Sequence, residues 1–492
     1  MAKPVAVIAG LDGMPLGLLV ELMERGVMPW LHSAWKRFTA SETEVYVPYT
    51  PPSWATISTG VNPGKHGVFD AFTPTPEGGV RLVTKMDLER PYVNEMAAAG
   101  GVESVCVGVL YCYPPFVRTR NTVVSSWADP RLSTWPPDLR PMVERILREG
   151  WEPRKPASLE EYVDRTLEGL ERRATLVEEL YRGRSWRLFY FMLPEPDWLF
   201  HYLYGDIVEG TRLGRRAYKV FERIDRLLRL LYEEMPEPGL FLLVSDHGFM
   251  EAKRALNGNV LLKKLGLLVE EERRVSLRSR LVMEVARRLP PWLKSRLKYS
   301  RAAMLARRLG AAEAFETSRL PIDYSRSKAF FMSAYSLFVN RSLPPGERES
   351  VAETVLRELG RYREMFRVLK RGRDYFWGPH VDRAPDVVTV PREGYNVTTR
   401  LIYRSIVEDG RWFVHSPHGM LALSTVGGDS APRLPTGRLP TTADVAPTVL
   451  AWLGLPLDPV FDGEPLLEPR PRTGLRRYGV LARIGKTVAK RG

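Results

Sequence analysis

The chain alternates short, uninterrupted apolar runs with longer stretches in which apolar residues recur at helical spacing. A short apolar run between polar residues is typical of a strand buried on both faces, as in a parallel sheet. The clearest amphipathic stretch extends from Val208 to Glu234. Because strand and helix alternate, we predict an α/β fold with a doubly wound, mostly parallel sheet flanked by helices. The predicted strands are Val5–Ile8, Ser104–Leu110, Leu188–Phe191, Leu240–Val244 and Val387–Val390.

This alternation is lost between residues 255 and 375. An Arg-rich amphipathic helix is predicted over residues 277–289, where Pro290-Pro291 ends it, and a second basic helix follows. We interpret residues 255–375 as an inserted cap that lies over the C-terminal edge of the sheet. Contact of these basic amphipathic helices with a membrane surface is the alternative.

The rest of the chain divides around this insertion. We predict a main domain of residues 1–254 and 376–466, in which helix signals run from Thr442 to Leu453 and Gly454 serves as the C-cap. Residues 467–492 form a tail rich in Arg and Lys. Such a tail is more often a docking segment or a partly disordered arm than a part of an active site.

Composition agrees with a globular protein, since 44% of the 492 residues are apolar and 26% are charged. The first apolar run is too short for a signal peptide, and no run approaches the roughly 20 apolar residues of a membrane span. Cys106 and Cys112 are predicted to lie on one strand with both side chains on the same face, and two cysteines are too few for a disulfide framework. We therefore expect a soluble protein of the cytoplasm.

The net charge of +14 would suit an anionic partner, such as nucleic acid, acidic lipid or a phosphorylated substrate. Most of this charge is Arg spread along polar helix faces, with concentrations in the insertion and the tail. Charge alone does not choose among these partners. We predict no specific nucleic-acid partner, and at most a weak contact of the basic tail with an acidic surface.

Potential metal ligands follow three of the predicted strands. Asp246 and His247 come at the end of one strand, and Asp197 and His201 follow another at a spacing that places both side chains on one helix face. Asp12 comes directly after the first strand. Because open α/β sheets bind ligands at the carboxyl ends of their strands, we expect these side chains to converge. Their oxygen and nitrogen donors are of the kind that zinc or manganese accepts.

Thr50 stands before Pro51-Pro52 and a short helical stretch that reaches Gly60. A hydroxyl at a helix N-terminus lies near the positive end of the helix dipole, and a bound metal would lower its pKa further, so Thr50 is a candidate nucleophile. The alternative is an ordinary N-cap threonine. This segment on its own favours the N-cap.

Several further motifs accompany these residues: Gly10–Gly13, the block Pro48–Phe72 with Asn62–Gly67 inside it, Tyr113–Pro115, Glu195–His201, Ser245–Phe249, Ala384–Asp386, His415–Gly419 and Asp444–Thr448. Together they resemble the alkaline-phosphatase superfamily over nearly the whole chain. The similarity is to its branch of type I phosphodiesterases, nucleotide pyrophosphatases and related phosphohydrolases of archaea and bacteria. The resemblance implies an alkaline-phosphatase-like catalytic core with the insertion as its cap.

The resemblance also implies a site for two divalent metal ions, with zinc expected and manganese as the alternative. One ion would be held by Asp12, Thr50, Asp246 and His247. The other would be held by Asp197, His201 and a late histidine, either His415 or His418. We favour His415, because its offset to Gly419 fits the spacing seen in relatives.

In such a site Thr50 would act as the nucleophile between the two ions. Two divalent ions about 4 Å apart activate the attacking oxygen and neutralise the leaving oxygen of an in-line displacement. The resemblance thus implies attack of Thr50 on phosphorus, a phosphothreonine intermediate, and its hydrolysis by water. The predicted activity is hydrolysis of a phosphoric ester, of the phosphodiesterase or nucleotide pyrophosphatase type, on a phosphorylated small molecule or a phosphodiester.

One position departs from the family pattern. Nucleotide pyrophosphatases carry an Asn that contacts a phosphate oxygen, and this chain has Ala71 at that position, which puts nucleotide as the substrate in doubt. A phosphomonoesterase or a phosphomutase of the same superfamily is the alternative among enzymes, although mutases and sulfatases use Ser or Cys where this chain has Thr50. A non-catalytic protein that binds anionic lipid or nucleic acid through the cap and tail is the alternative of another class. The full set of ligand types favours an enzyme.

Overall fold

The first strand, Val5–Leu11, is apolar at both odd and even positions. Its odd-numbered side chains enter a core on one face of the sheet, and Ala6 and Ile8 enter a separate core on the other face. The computed structural model describes residues 2–129, 131–148, 156, 158–271, 322–401, 405–470 and 473–489. The helix predicted over residues 277–289 lies outside these ranges. In chain order the strands are β1 (Val5–Leu11), β2 (Thr39–Glu44), β3 (Phe72–Pro74), β4 (Val80–Leu82), β5 (Ser104–Val107), β6 (Asn121–Val124), β7 (Thr134–Trp135), β8 (Leu188–Leu193), β9 (Gly239–Val244), β10 (Gly248–Asn257), β11 (Ala329–Phe331), β12 (Ser336–Val339), β13 (Phe366–Arg371), β14 (Val387–Pro391), β15 (Tyr395–Thr398), β16 (Val407–Ser416), β17 (His418–Val426), β18 (Ala431–Pro432) and β19 (Leu467–Glu468).

The central sheet has eight strands in the order β2-β17-β9-β1-β8-β5-β6-β7. Strands β9, β1, β8, β5 and β6 are parallel, whereas β2, β17 and β7 pair antiparallel with their neighbours. The mostly parallel sheet confirms the predicted fold class. The prediction for Val387–Val390 is wrong in one respect: the run is a strand, but β14 pairs antiparallel with β12 and β13 in a separate sheet.

Helices cover both faces of the central sheet. In chain order the helices of the described residues are α1 (Leu16–Glu24), α2 (Pro29–Ala34), α3 (Thr50–Thr59), α4 (Pro63–His66), α5 (Val93–Ala99), α6 (Arg140–Leu147), α7 (Leu159–Gly183), α8 (Glu195–Glu209), α9 (Arg212–Glu233), α10 (Gly258–Lys264), α11 (Pro345–Gly360), α12 (Gly372–Tyr375), α13 (Val445–Trp452) and α14 (Gly479–Ala489). Helices α1, α2 and α6 to α9 pack on one face of the sheet, and α3, α5, α13 and α14 pack on the other. Among these helices, none has both the length and the apolar composition that crossing a membrane requires.

Two local predictions need correction. The amphipathic stretch from Val208 to Glu234 is two helices, because Gly210 adopts a left-handed conformation with φ +63° and the Thr211 side chain caps the helix that follows. Cys106 and Cys112 do not share a strand, since β5 ends at Val107. Both cysteines are nevertheless buried and free, as core residues would be. The helix predicted at Thr442–Leu453 is present as a 3-10 turn followed by α13.

A third core lies in the region of the insertion. Strands β11, β12, β14 and β13 form a four-stranded antiparallel sheet, which packs with α10 and α11 around apolar side chains such as Phe331 and Val355. A further sheet joins β15, β10 and β16. Because the four-stranded sheet takes strands from both sides of residue 375, it continues past the predicted end of the cap. The domain boundaries themselves stay a prediction.

Candidate active site

Three adjacent strands of the central sheet deliver carboxylates to one edge. Asp12 follows β1 directly, Asp246 comes two residues after β9, and Asp197 lies in the first turn of α8, just beyond β8. Since the sheet order is β9-β1-β8 and these strands are parallel, their carboxyl ends lie side by side. The structure therefore brings together the residues that the sequence predicted to converge.

The first group consists of Asp12, Asp246 and His247, whose potential ligand atoms all lie within 4.8 Å of one another. Nε2 of His247 is 3.3 Å from Asp246 Oδ2 and 3.7 Å from Asp12 Oδ1. The other oxygens are held in place: Trp54 Nε1 donates to Asp12 Oδ2 at 3.2 Å, and Gly13 N donates to Asp246 Oδ1 at 3.1 Å. One oxygen of each carboxylate is thus fixed while the other faces the group.

The second group contains Asp197, His201 and His415. Asp197 and His201 are one helical turn apart on α8, and His201 Nε2 lies 3.4 Å from Asp197 Oδ2. His415 Nε2 lies 3.2 Å from Asp197 Oδ1 and 3.2 Å from His201 Nε2. The His201 side chain is 43% exposed, so this group opens to solvent.

Pairing of β10 with β16 joins the two groups. His247 immediately precedes β10, and the antiparallel register places Phe249 opposite His415. The His247 and His415 rings consequently stack with centroids 3.7 Å apart and an interplanar angle of 16°. Asp197, His247 and His415 also have ligand atoms within 4.8 Å of one another.

Backbone carbonyls orient both stacked histidines. His247 Nδ1 lies 3.1 Å from the carbonyl oxygen of Gly248, and His415 Nδ1 lies 3.0 Å from that of Pro48. A carbonyl oxygen only accepts hydrogen bonds, so each Nδ1 carries the proton and each Nε2 presents a lone pair to the site. This is the arrangement by which a histidine that binds metal is usually held.

Thr50 is the first residue of α3 and is 7% exposed. Its Oγ1 lies 3.2 Å from Nε2 of His247. Tyr49 occupies the N-cap position, and no side chain caps the helix. The hydroxyl of Thr50 therefore faces the histidine, and the N-cap interpretation of this residue does not hold.

Burial and charge shift the pKa of the acidic groups in opposite directions. Burial, with added repulsion from Asp246 and Asp197, raises the pKa of Asp12 well above its usual range. Burial likewise raises the pKa of Asp246 to about 8. Burial also disfavours the charged form of Asp197, but the charge and hydrogen bonds that His201 and His415 supply in their protonated form outweigh it and hold the pKa of Asp197 well below its usual range.

The donor set fits cations. Asp12 Oδ1, Asp197 Oδ1 and Asp246 Oδ2 are buried and accept no hydrogen bond from the described residues. Buried polar atoms without a partner are uncommon, since each costs about 1–3 kcal/mol. Here these oxygens and the histidine lone pairs point at one another at 3.2 to 3.7 Å. Positive charge between them would relieve this repulsion, and metal ions supply it with the oxygen and nitrogen ligands that they prefer.

The alternative histidine, His418, lies at the start of β17 and belongs to neither group. Its Nε2 faces Nη1 of Arg367 at 2.8 Å.

The backbone N–H of Ala71 donates to Asp70 Oδ1 at 2.7 Å. Asp70 is buried, which raises its pKa to about 6, and it accepts a hydrogen bond of 2.6 Å from Ser333 of the insertion.

The sequence did not single out two residues next to the site. Trp54, which holds Asp12, lies one turn after Thr50 on α3, and this helical spacing is a signal that could have found it. Tyr335 lies between β11 and β12, with its ring centroid 6.5 Å from that of His415 and 5.9 Å from that of Tyr49. No sequence signal connects Tyr335 to the site, because it reaches the site only through the folding of the insertion.

A comparison with protein families finds a match over most of the chain. The family model described as type I phosphodiesterase / nucleotide pyrophosphatase matches residues 6–419. No curated protein matches the chain.

Solved structures of low sequence identity share the fold. Phosphonoacetate hydrolase from Sinorhizobium meliloti 1021 in complex with phosphonoformate has a TM-score of 0.55 at 14% identity, covering 92% of this chain and 96% of that chain. Human ectonucleotide pyrophosphatase / phosphodiesterase 5 has a TM-score of 0.52 at 12% identity, covering 94% and 100%. The murine protein of that name, as an inactive threonine-to-alanine variant with AMP, has a TM-score of 0.51 at 12% identity, covering 92% and 95%.

Proposed function

The chain belongs to the type I phosphodiesterase / nucleotide pyrophosphatase family, whose members hydrolyse phosphoric esters, and we propose that it does so with Thr50 as nucleophile beside two divalent metal ions. The observation that carries the proposal is the position of Thr50 Oγ1, 3.2 Å from His247 Nε2, where the two groups of potential ligands meet. The hydroxyl of Thr50 therefore adjoins the one histidine that shares ligand geometry with both groups.

The two groups differ in their donors. Asp12, Asp246 and His247, with the Thr50 oxygen, would hold one ion, and Asp197, His201 and His415 would hold the other. The second group has two imidazole donors and the first has one, a mixture that favours zinc, with manganese as the alternative. When bound, such ions would stabilise the charge on the attacking oxygen, the phosphoryl oxygens and the leaving oxygen.

The reaction at the protein side chain has two displacements. In the first, Thr50 Oγ1 attacks phosphorus, the bond from phosphorus to the leaving oxygen breaks, and a phosphothreonine forms; the proton that Oγ1 gives up is balanced by the one that the leaving oxygen takes to depart as an alcohol. In the second, water attacks the same phosphorus, the bond to Oγ1 breaks, and a proton from that water restores the hydroxyl of Thr50. Two inversions give net retention at phosphorus.

Helix α3 positions the nucleophile for this chemistry. All ten of its residues are buried, so the first turn is held on every side. The N-terminus of the helix also presents its partial positive charge to the incoming phosphoryl group, which favours negative charge at this point. Positioning and electrostatic stabilisation account for most of the catalysis of phosphoryl transfer.

A phosphodiester is the substrate class that the family favours, and Ala71 argues against a nucleotide. The amide side chain that would contact a phosphate oxygen is absent at this position, and the neighbouring Asp70 is engaged by Ser333. Among the solved structures of the same fold, one was determined with phosphonoformate and another with AMP, so the fold accommodates both small phosphonates and nucleotides. A phosphomonoesterase or phosphomutase is the second candidate, and the ratio of diester to monoester hydrolysis separates it from the first.

The test is metal analysis of the purified protein followed by assay on bis-p-nitrophenyl phosphate and p-nitrophenyl phosphate. We expect two bound ions per chain, faster turnover of the diester, and loss of turnover in Thr50→Ala and after chelation. Thr59→Ala is the matched control, because its hydroxyl lies on the same buried helix but donates to the carbonyl of Ala55. Protein that holds two metal ions and hydrolyses neither ester would contradict the proposal, as would full activity of Thr50→Ala.

A further inference from the structure

Helix α14 in the basic tail presents three aliphatic side chains to solvent. Val480, Ile484 and Val488 recur every four residues along one face and are 44%, 55% and 47% exposed. The side of the helix that packs on the protein carries the small buried residues Ala482 and Gly485 and the partly buried Leu481. A surface helix of a globular protein normally turns its large apolar residues inward. The face formed by Val480, Ile484 and Val488, called here the aliphatic stripe, is therefore available for another contact.

The orientation of α14 is firmly held. A Cβ atom at Gly485 would lie 2.5 Å from Cβ of Phe116, so only glycine permits this close approach of helix and protein. Tyr478, just before the helix, is fully buried, and its backbone N–H donates to Asp458 Oδ2 at 2.9 Å. The stripe cannot turn inward without loss of these contacts.

Basic residues surround the stripe. The sequence from Arg470 to Gly492 contains no Asp or Glu. Arg477 and Arg483 are exposed and form no ion pair with the described residues, whereas Lys486 pairs with Glu89 at 2.8 Å. An apolar stripe with unpaired arginines beside it is the composition of a helix that lies in the surface of an anionic bilayer.

We propose that α14 docks this protein on an anionic lipid membrane. The aliphatic stripe would enter the boundary between headgroups and acyl chains, and Arg477 and Arg483 would contact lipid phosphates. A second copy of the chain is a poorer occupant, because two such basic surfaces repel each other. Nucleic acid would satisfy the arginines but would leave the stripe exposed. The proposal is independent of the hydrolytic reaction.

The experiment is co-sedimentation of the full chain with vesicles of phosphatidylcholine alone, and with vesicles that contain equal parts of phosphatidylcholine and phosphatidylglycerol. We expect sedimentation with the anionic vesicles only, decreasing as salt is added. Ile484→Ser/Val488→Ser and, separately, Arg477→Glu/Arg483→Glu should each weaken the partition roughly tenfold or more. Hydrolysis of bis-p-nitrophenyl phosphate in solution should be the same in these variants as in the wild type.

Two control variants make the same kinds of substitution at exposed positions outside α14. Leu82→Ser/Leu439→Ser loses two other exposed aliphatic side chains, and Arg357→Glu/Arg361→Glu changes net charge by the same amount on another exposed surface. Both should sediment like the wild type. The proposal is overturned if the wild type stays in the supernatant at low salt, or if the stripe variant sediments unchanged. It is also overturned if size-exclusion chromatography shows a dimer that Ile484→Ser/Val488→Ser converts to a monomer, because a second copy then covers the stripe.

Discussion

Oγ1 of Thr50 and Nε2 of His247 lie 3.2 Å apart, although 197 residues separate them in the chain. Thr50 is presented by the start of a buried helix, and His247 by the short connection between β9 and β10. The contact therefore depends on how α3 packs against the edge of the sheet. It places a hydroxyl among side chains that suit cations.

Replacement of Thr50 by Ser should preserve part of the activity, because the hydroxyl remains in place. Replacement by Ala removes the nucleophile, and we expect kcat on the diester to fall by roughly a thousandfold or more. Steady-state kinetics of both variants, with metal content measured on the same samples, provide the comparison. Equal rates for the Ser and Ala variants would assign the chemistry to a group other than the hydroxyl.

His415→Ala should remove one metal ion and most of the activity, whereas His418→Ala should keep both. Only His415 directs Nε2 toward Asp197 and His201; His418 directs it toward Arg367. Loss of a ligand should exceed the roughly 10–100-fold cost of losing an orienting hydrogen bond to a ligand. Metal analysis and kcat measured together decide between the two histidines, and retention of both ions in His415→Ala would exclude it as a ligand.

Removal of metal should lower the melting temperature. Asp12, Asp197 and Asp246 place buried carboxylates against one another, and cations that bind only the folded state stabilise it by about 4 kcal/mol when free metal is about 1,000-fold above Kd. Thermal unfolding after dialysis against chelator, and again after zinc is restored, measures the effect. Thr59→Ala should show the same zinc-dependent shift in melting temperature as the wild type, while Asp12→Asn should show a smaller shift. A melting temperature that does not respond to zinc would argue against a resident metal.

Asp70→Asn should stabilise the protein at alkaline pH and have little effect at acid pH. Burial raises the pKa of Asp70 to about 6 in the folded state. The unfolded value is about 3.9, so the wild type loses up to about 3 kcal/mol as pH rises through this interval, and the loss persists above it. The amide keeps one acceptor for the N–H of Ala71 and can donate to Ser333.

Urea unfolding of wild type and Asp70→Asn at about pH 8 and about pH 4 measures this difference, in which other titrating groups cancel. We expect the advantage of the variant to vanish at the lower pH. If the gain in unfolding free energy of Asp70→Asn over the wild type is constant, or grows as pH falls, then burial does not disfavour the charged form of Asp70.

Gly13→Ala should disturb the site that follows β1. Gly13 has φ +70°, and a Cβ atom there would lie 3.1 Å from Cβ of Asp197 and 3.1 Å from the ring of Phe249. We expect a loss of roughly 1–3 kcal/mol in unfolding free energy together with weaker metal binding. Gly17→Ala is the control: it lies in α1 with nothing within 4 Å of its Cβ position, so it should stabilise by about 0.5–1 kcal/mol. Chemical denaturation of both variants gives the comparison.

Local sequence patterns predicted which segments form strands and helices better than they predicted how those segments pair and connect. The apolar run at Val387 is a strand, but burial alone does not say which sheet contains it, and β14 belongs to the four-stranded sheet. The stretch from Val208 to Glu234 keeps helical spacing across Gly210, so the sequence pattern passed over a break that the left-handed glycine makes. In both cases the apolar spacing correctly predicted a strand or a helix. It predicted neither the sheet to which β14 belongs nor the break between α8 and α9.

The sequence by itself determined which side chains follow the strands β1, β8 and β9, because strand ends and the spacing of Asp197 and His201 are local properties. The family resemblance favoured His415 over His418, but how His415 reaches the other residues depends on the register between β10 and β16, which long-range hydrogen bonding sets and which only the tertiary structure shows. The tertiary structure also decided that the hydroxyl of Thr50 faces His247 and does not cap its helix. Distances between residues far apart in the chain follow from the order of strands in the sheet, which local spacing does not encode.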